Sequence, residues 1–220
     1  MMNFFRKFVF FFQKPLLVIV LGEGRFSIAN TISGILKPKF ETKMIAERIF
    51  PWFIRENEIL IFTLDLEKTD SLKDLVFLLK NSDQPIMVIS GQRENSEGKD
   101  GDRYQEFTEK TTEVAKLLPS RGFLIANFDE RIFRRIKGQT SARFLTYGFL
   151  EGADFQVTDV NTGAAETNFK INYGGDIVPF WLKKAAKKEE IYDAISAVCA
   201  GAAKGMNLVE ISQALKNLIL

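Results

Sequence analysis

Histidine is absent from the 220 residues, and cysteine occurs once, as Cys199. The first absence removes Ser-His-Asp and Cys-His catalysis and every imidazole metal site. The second excludes an intramolecular disulfide framework and a thiolate zinc cluster. Cys199 stands in an apolar helical stripe, which reads as a buried structural thiol rather than a nucleophile. An excess of one charge sign is missing too: 30 Lys and Arg against 28 Asp and Glu leave a net +2, so no nucleic-acid partner is implied. Internal repeats, coiled-coil heptads and long disordered tracts are also lacking. What is present is a hydrophobic content of 46%, enough for a sizeable core in one domain with at most a small appendage.

The most informative stretch is Leu16–Leu36, LLVIVLGEGRFSIANTISGIL. Leu16 to Leu21 form a continuous apolar run of strand length, as in a parallel strand buried on both faces. Gly22 and Gly24 allow a tight turn. Ser27 is placed to cap a helix carrying Ile28, Ile32, Ile35 and Leu36 on one side. Strand, glycine turn and helix is the layout of a phosphate-binding loop, in which free backbone N–H groups favour an anion. A working Walker loop adds a Lys for the phosphates and a Ser or Thr for magnesium. Here Arg25 and Phe26 fill those slots, and Phe26 has no oxygen for a metal. The stretch is therefore either a nucleotide site of altered chemistry or an ordinary strand–turn–helix connection.

Residues 1–14, MMNFFRKFVFFFQK, mix six phenylalanines with Arg6, Lys7 and Lys14. The segment is too short and too charged to span a bilayer, and it lacks the cleavage pattern of a signal peptide. It reads as a helix, either interfacial at an anionic membrane or packed on the domain or a partner.

Beyond the first helix the pattern predicts a helix over Glu41–Arg55 up to Pro51, a strand at Glu58–Leu64, and a helix capped by Asp70. A third strand at Pro85–Ser90 precedes a surface loop over Gln92–Arg103. A helix over Tyr104–Leu118 turns Phe107, Thr111, Val114 and Leu118 inward, and a fourth strand, Gly122–Ala126, follows. A short helix at Asp129–Ile136 leads to a fifth strand at Phe144–Tyr147. Alternating strands and helices argue for a parallel sheet with right-handed crossovers. After Gly148 the pattern changes: Asp154–Val160, Glu166–Tyr173 and Asp176–Phe180 alternate and are joined by glycine turns, as in an antiparallel meander. Two helices close the chain, one opening at Glu189-Glu190 and one capped by Asn207 with Glu210. Lys183–Lys188 reads as a solvated turn, and Trp52 and Trp181 as core or edge packing.

This order resembles the central ATP-binding domain of the Mur ligases, above all the member that adds D-alanyl-D-alanine. The resemblance runs from about Lys14 to Leu220. VIVLGEGRFS stands where that family has T-G-x-x-G-K-[ST]-[ST], and FLIANFDE where it has a strand ending N-x-D-[DE]. FLTYGF followed by GADFQVTDV matches a strand and the meander. EEIYDAISAVCAGAAKGMNLVEISQAL matches the closing helix pair. The resemblance implies a three-layer α/β fold with a mainly parallel sheet of the P-loop type, a C-terminal antiparallel meander and a helix pair. It divides the chain into an aromatic and basic helix, 1–14, and a Mur-ligase-like domain, 15–220.

The family phosphorylates a carboxylate with ATP and lets an amine attack the acyl phosphate, using metal ions. Carried over residue by residue, Gly22, Gly24, Arg25 and Ser27 make a degenerate nucleotide loop that is one residue short. Asn127 and Asp129 keep the motif beside the adenosine. The metal-binding Glu falls at Thr63, with Asp65 a weak substitute, and Lys110 with Glu113 weakly match a metal-associated Lys and Glu. A family His is missing from Ser90–Glu94, and His-Asn becomes Glu189-Glu190. These departures imply ATP and magnesium only as reduced expectations, and no catalytic residue. The flanking substrate domains of the family have no counterpart in this sequence. The expectation is therefore a non-catalytic binding or scaffold module of cell-wall precursor metabolism, inactive alone. It would be cytoplasmic, with other ligase domains or cell-wall enzymes as partners and residues 1–14 at the inner membrane face. The alternative is an ATP-binding subunit or fragment of an ATP-dependent acid–amino acid ligase completed by other chains. A third reading is a different P-loop-like enzyme using Asp65, Asp129 and Glu130 for a metal.

Overall fold

The computed structural model describes residues 4–45, 55, 58–66, 72–91 and 100–218. Helix α1 (Phe4–Gln13) leads into β1 (Leu16–Leu21), and α2 (Arg25–Leu36) follows the glycine turn. Then come β2 (Thr42–Ile45), β3 (Ile59–Leu64), α3 (Leu72–Asn81), β4 (Pro85–Ile89), α4 (Asp100–Lys116), β5 (Phe123–Asn127), α5 (Arg131–Ile136) and β6 (Arg143–Gly148). The meander is β7 (Phe155–Thr162), β8 (Thr167–Tyr173) and β9 (Asp176–Leu182), and α6 (Lys188–Ala203) and α7 (Leu208–Asn217) end the fold.

Among the described residues the strands form one sheet in the order β2-β3-β1-β4-β5-β6-β7-β8-β9. All pairs from β2 to β7 are parallel, and β7-β8 and β8-β9 are antiparallel. β6 meets β7 only at its carboxyl end, through Tyr147 opposite Phe155 and Gly148 opposite Gln156. The expected parallel sheet and meander are thus one continuous surface.

The pleat sorts the apolar runs into two cores. Val18, Val20, Ile59, Ile61, Ile86 and Val88 face α2, α6 and α7, in a cluster that includes Ile28, Ile195 and Cys199. Leu17, Ile19, Leu21, Leu60, Phe62, Met87 and Ile89 face the other layer, with Leu75 of α3 and Val114 of α4. Burial on both faces explains why these strands read as unbroken apolar runs. The meander is covered on one face: Phe155, Val157, Phe169, Ile171, Phe180 and Leu182 join the first core, and alternation survives there.

Three readings need correction. Thr42–Ile45 is an edge strand pairing with β3, not the start of a helix; four residues at an edge carry too little pattern to show a period. The rest of that expected helix, Trp52 and the Asp70 cap lie outside the described residues. Asp100–Arg103 belong to α4 rather than to the preceding loop, since a polar stretch is as compatible with a first helical turn as with a loop; 92–99 lie outside the described residues. The N-cap of α2 is Gly24, not Ser27.

Candidate functional site at the carboxyl ends of the parallel strands

The connection from β3 to β4 passes over β1, so the chain diverges on either side of β1 at the sheet's carboxyl edge. Such a switch point leaves a crevice into which strand-end loops project. Leu21, Leu64, Ile89 and Asn127 end their strands there, and the loop Gly22–Gly24 joins β1 to α2.

The loop is built by its glycines. Gly22 has φ 96° and Gly24 φ 73°, both left-handed. A β-carbon on Gly22 would run into the carbonyl oxygen of Ser90. Ser90 in turn donates its hydroxyl hydrogen bond to the Glu23 carbonyl, tying the loop to the end of β4. Gly24 as N-cap offers no side chain to the first turn, and its carbonyl accepts from Ile28 N at 2.9 Å. Ser27 lies exposed in that first turn, and its carbonyl accepts from Thr31 Oγ1 at 2.9 Å.

Charges of the protein itself fill the surroundings. Arg25 Nη2 pairs with Asp65 Oδ2 at 3.1 Å, just past β3. Its Nη1 reaches back to the Gly22 carbonyl at 3.3 Å. The guanidinium stands 5.1 Å over the ring of Phe26, which is 61% exposed. Arg25 Nε is buried and meets no hydrogen-bond acceptor among the described residues. From α6, Asp193 brings its Oδ1 to 2.9 Å from where a β-carbon on Gly24 would stand. A carboxylate is therefore held against the amino end of α2, where a helix favours an anion.

The second half of the site is centred on Asp129. Its Oδ2 accepts from Phe149 N at 2.7 Å and from Tyr192 Oη at 2.7 Å, and its Oδ1 from Leu150 N at 3.0 Å. Asn127, buried at the end of β5, accepts from Asp129 N at 3.0 Å and donates to Glu130 Oε1 at 3.0 Å. The Glu130 carboxylate lies against Gly91, after β4. Lys188 sits 5.1 Å over Phe149 and 5.5 Å over Tyr192. Burial, and then the hydrogen bond to Asp129, push the Tyr192 hydroxyl pKa upward, so it stays a donor. Burial does the same for Tyr147, whose hydroxyl points at the Ile89 carbonyl.

The structure therefore brings Gly22, Gly24, Arg25 and Asp65 together at one end of the crevice. Asn127 and Asp129 are spent on the turns after β5 and β6. Lys110 pairs with Glu106 at 2.7 Å along the surface of α4, where Glu113 is also exposed. No group of three or more acidic or thiol side chains is placed to hold a metal among the described residues. Phe26 offers no oxygen, and Asp65 is engaged by Arg25. The residues present do not fit magnesium–ATP in the manner of a Walker loop. Asp193 and Tyr192 were missed by sequence reasoning. Both are half-buried and lie beside the buried apolar stripe of α6 rather than in it, and the packing of α6 against α2 and β6 brings them to the strand ends.

No family model matches the chain. A crystal structure of MurF from Acinetobacter baumannii superposes with a TM-score of 0.78 over 97% of this chain and 48% of its own, at 15% identity. MurF from Thermotoga maritima in complex with ADP gives 0.70 over 94% and 51%, at 15% identity. The fold is that of the Mur ligase central domain. A UDP-N-acetylmuramate–L-alanine ligase from Halorhodospira halophila (strain DSM 244 / SL1) is 28% identical over 101 residues, 46% of this chain and 21% of that protein. This Mur-ligase-like chain thus spans about half the length of the solved structures and a fifth of that ligase in the aligned region. Among the described residues no helix is long and apolar enough to cross a membrane.

Proposed function

We propose that this chain is a non-catalytic Mur-ligase-like domain, a binding or scaffold module of peptidoglycan-precursor metabolism whose nucleotide loop is closed by the protein's own charges. One arrangement carries the reading: Arg25 is tied to Asp65 and to the Gly22 carbonyl while the Asp193 carboxylate lies against Gly24. The cation that would clamp a phosphate is committed elsewhere, and a negative charge stands where the phosphate would approach. On this reading the protein works in the cytoplasm beside ATP-dependent ligases or other cell-wall enzymes.

A second reading is favoured by the loop backbone. Gly22 and Gly24 keep the left-handed turn that frees the α2 amides, and the fold is shared with an ADP-bound MurF. On that reading the chain is the nucleotide-binding part of an ATP-dependent acid–amino acid ligase completed by other chains.

Calorimetric titration with ATP and ADP, with and without magnesium, separates the two. The scaffold reading expects no binding up to millimolar nucleotide. Micromolar, magnesium-dependent binding, or turnover of ATP by the purified protein, overturns it in favour of the ligase reading.

A further inference from the structure

Helix α1 turns an aromatic surface to solvent. Phe5, Phe8, Phe11 and Phe12 are 58%, 53%, 49% and 66% exposed, while Phe10 is 1% exposed. Phe5, Phe8 and Phe12 follow i, i+3, i+7 spacing with Phe11 beside them, so they share one stripe. Phe10 points the other way and meets Phe77 of α3, ring centroids 6.0 Å apart. Lys7 anchors the same side, pairing with the buried Asp74 at 2.9 Å and lying 5.4 Å over the Phe77 ring. The helix is therefore seated on the domain by its inner face and presents the outer one.

Segment 1–14 and the outer positions of α3 supply cations near that stripe. Segment 1–14 contains Arg6, Lys7 and Lys14 and no acid. On α3, Lys73 and Lys80 lie four and three residues from Phe77, the ring against which α1 packs, and both are exposed. Asp74 is compensated by Lys7, and Asp83 donates its amide to the Pro15 carbonyl at 3.3 Å, just past the helix. Aromatic rings bordered by lysines complement a surface of negative charge over a hydrocarbon layer. A folded protein partner of mixed charge does not explain the basic border.

We infer that α1 docks the domain on an anionic lipid membrane, the rings of Phe8, Phe11 and Phe12 entering the headgroup boundary and Lys73 and Lys80 lying over the headgroups. This stands on α1 and α3 and does not depend on the state of the nucleotide loop.

The test is co-sedimentation of the full chain with vesicles of phosphatidylcholine alone and of phosphatidylcholine with about one third phosphatidylglycerol. The intact protein binds the anionic vesicles and not the neutral ones, and binding weakens from about 0.1 M to 0.5 M salt. Phe8→Ser/Phe12→Ser lowers the bound fraction about tenfold at an unchanged melting temperature, because both rings are already exposed. Lys73→Glu/Lys80→Glu removes the preference for anionic lipid. Failure of the intact protein to bind anionic vesicles overturns the inference. So does binding that survives the double serine change, or a sedimentation-velocity dimer that the serine change dissolves in the absence of lipid binding.

Discussion

Arg25 and Asp65, 40 residues apart in the chain, close a 3.1 Å ion pair across the carboxyl ends of β1 and β3. Both are mostly shielded, with side chains 23% and 18% exposed. Removing one partner of such a pair leaves a poorly solvated charge. Asp65→Ala is expected to cost about 1–3 kcal/mol, less than for a fully buried pair, and to lower the melting temperature by about 3–10 °C in a domain of this size. An unchanged melting temperature in a thermal scan would show that the pair is not formed.

Gly22 tests the loop itself. Alanine there must adopt φ 96° and place its β-carbon into the Ser90 carbonyl, a backbone atom with nowhere to yield. Gly22→Ala is expected to cost about 3 kcal/mol or more, through strain and clash together. Urea denaturation measures it, and a cost under about 1 kcal/mol would mean that the turn runs differently.

The residues differ in how much of this was legible in the chain. β1 was read to its bounds because double-sided burial leaves Leu16–Leu21 without a polar break. The inward set of α4 was equally plain: Phe107, Thr111 and Val114 are buried at helical spacing, and Leu118 is buried just beyond the helix. β2 was hidden because an edge strand of TKMI shows neither alternation nor length. The α2 cap went to Gly24 because the left-handed turn ends there and leaves Ser27 no role in it. The loop glycines and Arg25 stood out by their order. Asp193 and Tyr192 did not, since their part in the site is a product of packing against Gly24 of the first loop and against Asp129, 63 residues before Tyr192, for which no local pattern exists.

Asp129 holds together the turn after β6 and the first turns of α6. Its carboxylate accepts two backbone amides and one phenol. Each bond to a charged acceptor contributes about 1.5–3 kcal/mol. Asp129→Ala is expected to cost about 3–5 kcal/mol and Tyr192→Phe about 1–2 kcal/mol, with the double variant costing less than their sum. Strict additivity in a double-mutant cycle would contradict the shared bond.

Lys204, at the end of α6, gives a pH signature. Its ammonium reaches Gln84 O at 3.1 Å and Gln84 Oε1 at 3.3 Å, and burial lowers its pKa to about 8, with Asp83 opposing. The unfolded chain titrates near the ordinary lysine value of about 10.4. Between these values the unfolded state binds more protons than the folded one, so this group's contribution to stability rises with pH. Below pH 8 both states are charged and the burial cost is fully present. The stability of Lys204→Met relative to the wild type should therefore decline between pH 8 and pH 10. Urea titrations of both proteins at several pH values check this, and a constant difference would refute the burial of the ammonium.

If the loop is closed by the protein's own charges, Asp193 is the residue whose change tests it. Its carboxylate lies against Gly24 at the amino end of α2, so it satisfies the helix and repels an incoming anion at once. The two effects have different sizes. A favourable charge at a helix start is worth about 0.3–1 kcal/mol. Two unit charges about 5 Å apart at an effective dielectric constant near 20 repel by about 3 kcal/mol before salt screening. Asp193→Asn should therefore gain pyrophosphate affinity by at least about tenfold. The gain should require Arg25, because the guanidinium is the cation left beside the opened loop, and Arg25→Ala in the same background should abolish it. Calorimetry with pyrophosphate on the three proteins decides. If Asp193→Asn binds no better than the wild type, the carboxylate is not what excludes the anion. The commitment of Arg25 to Asp65 would then be the stronger cause, and Asp65→Asn the change that opens the site.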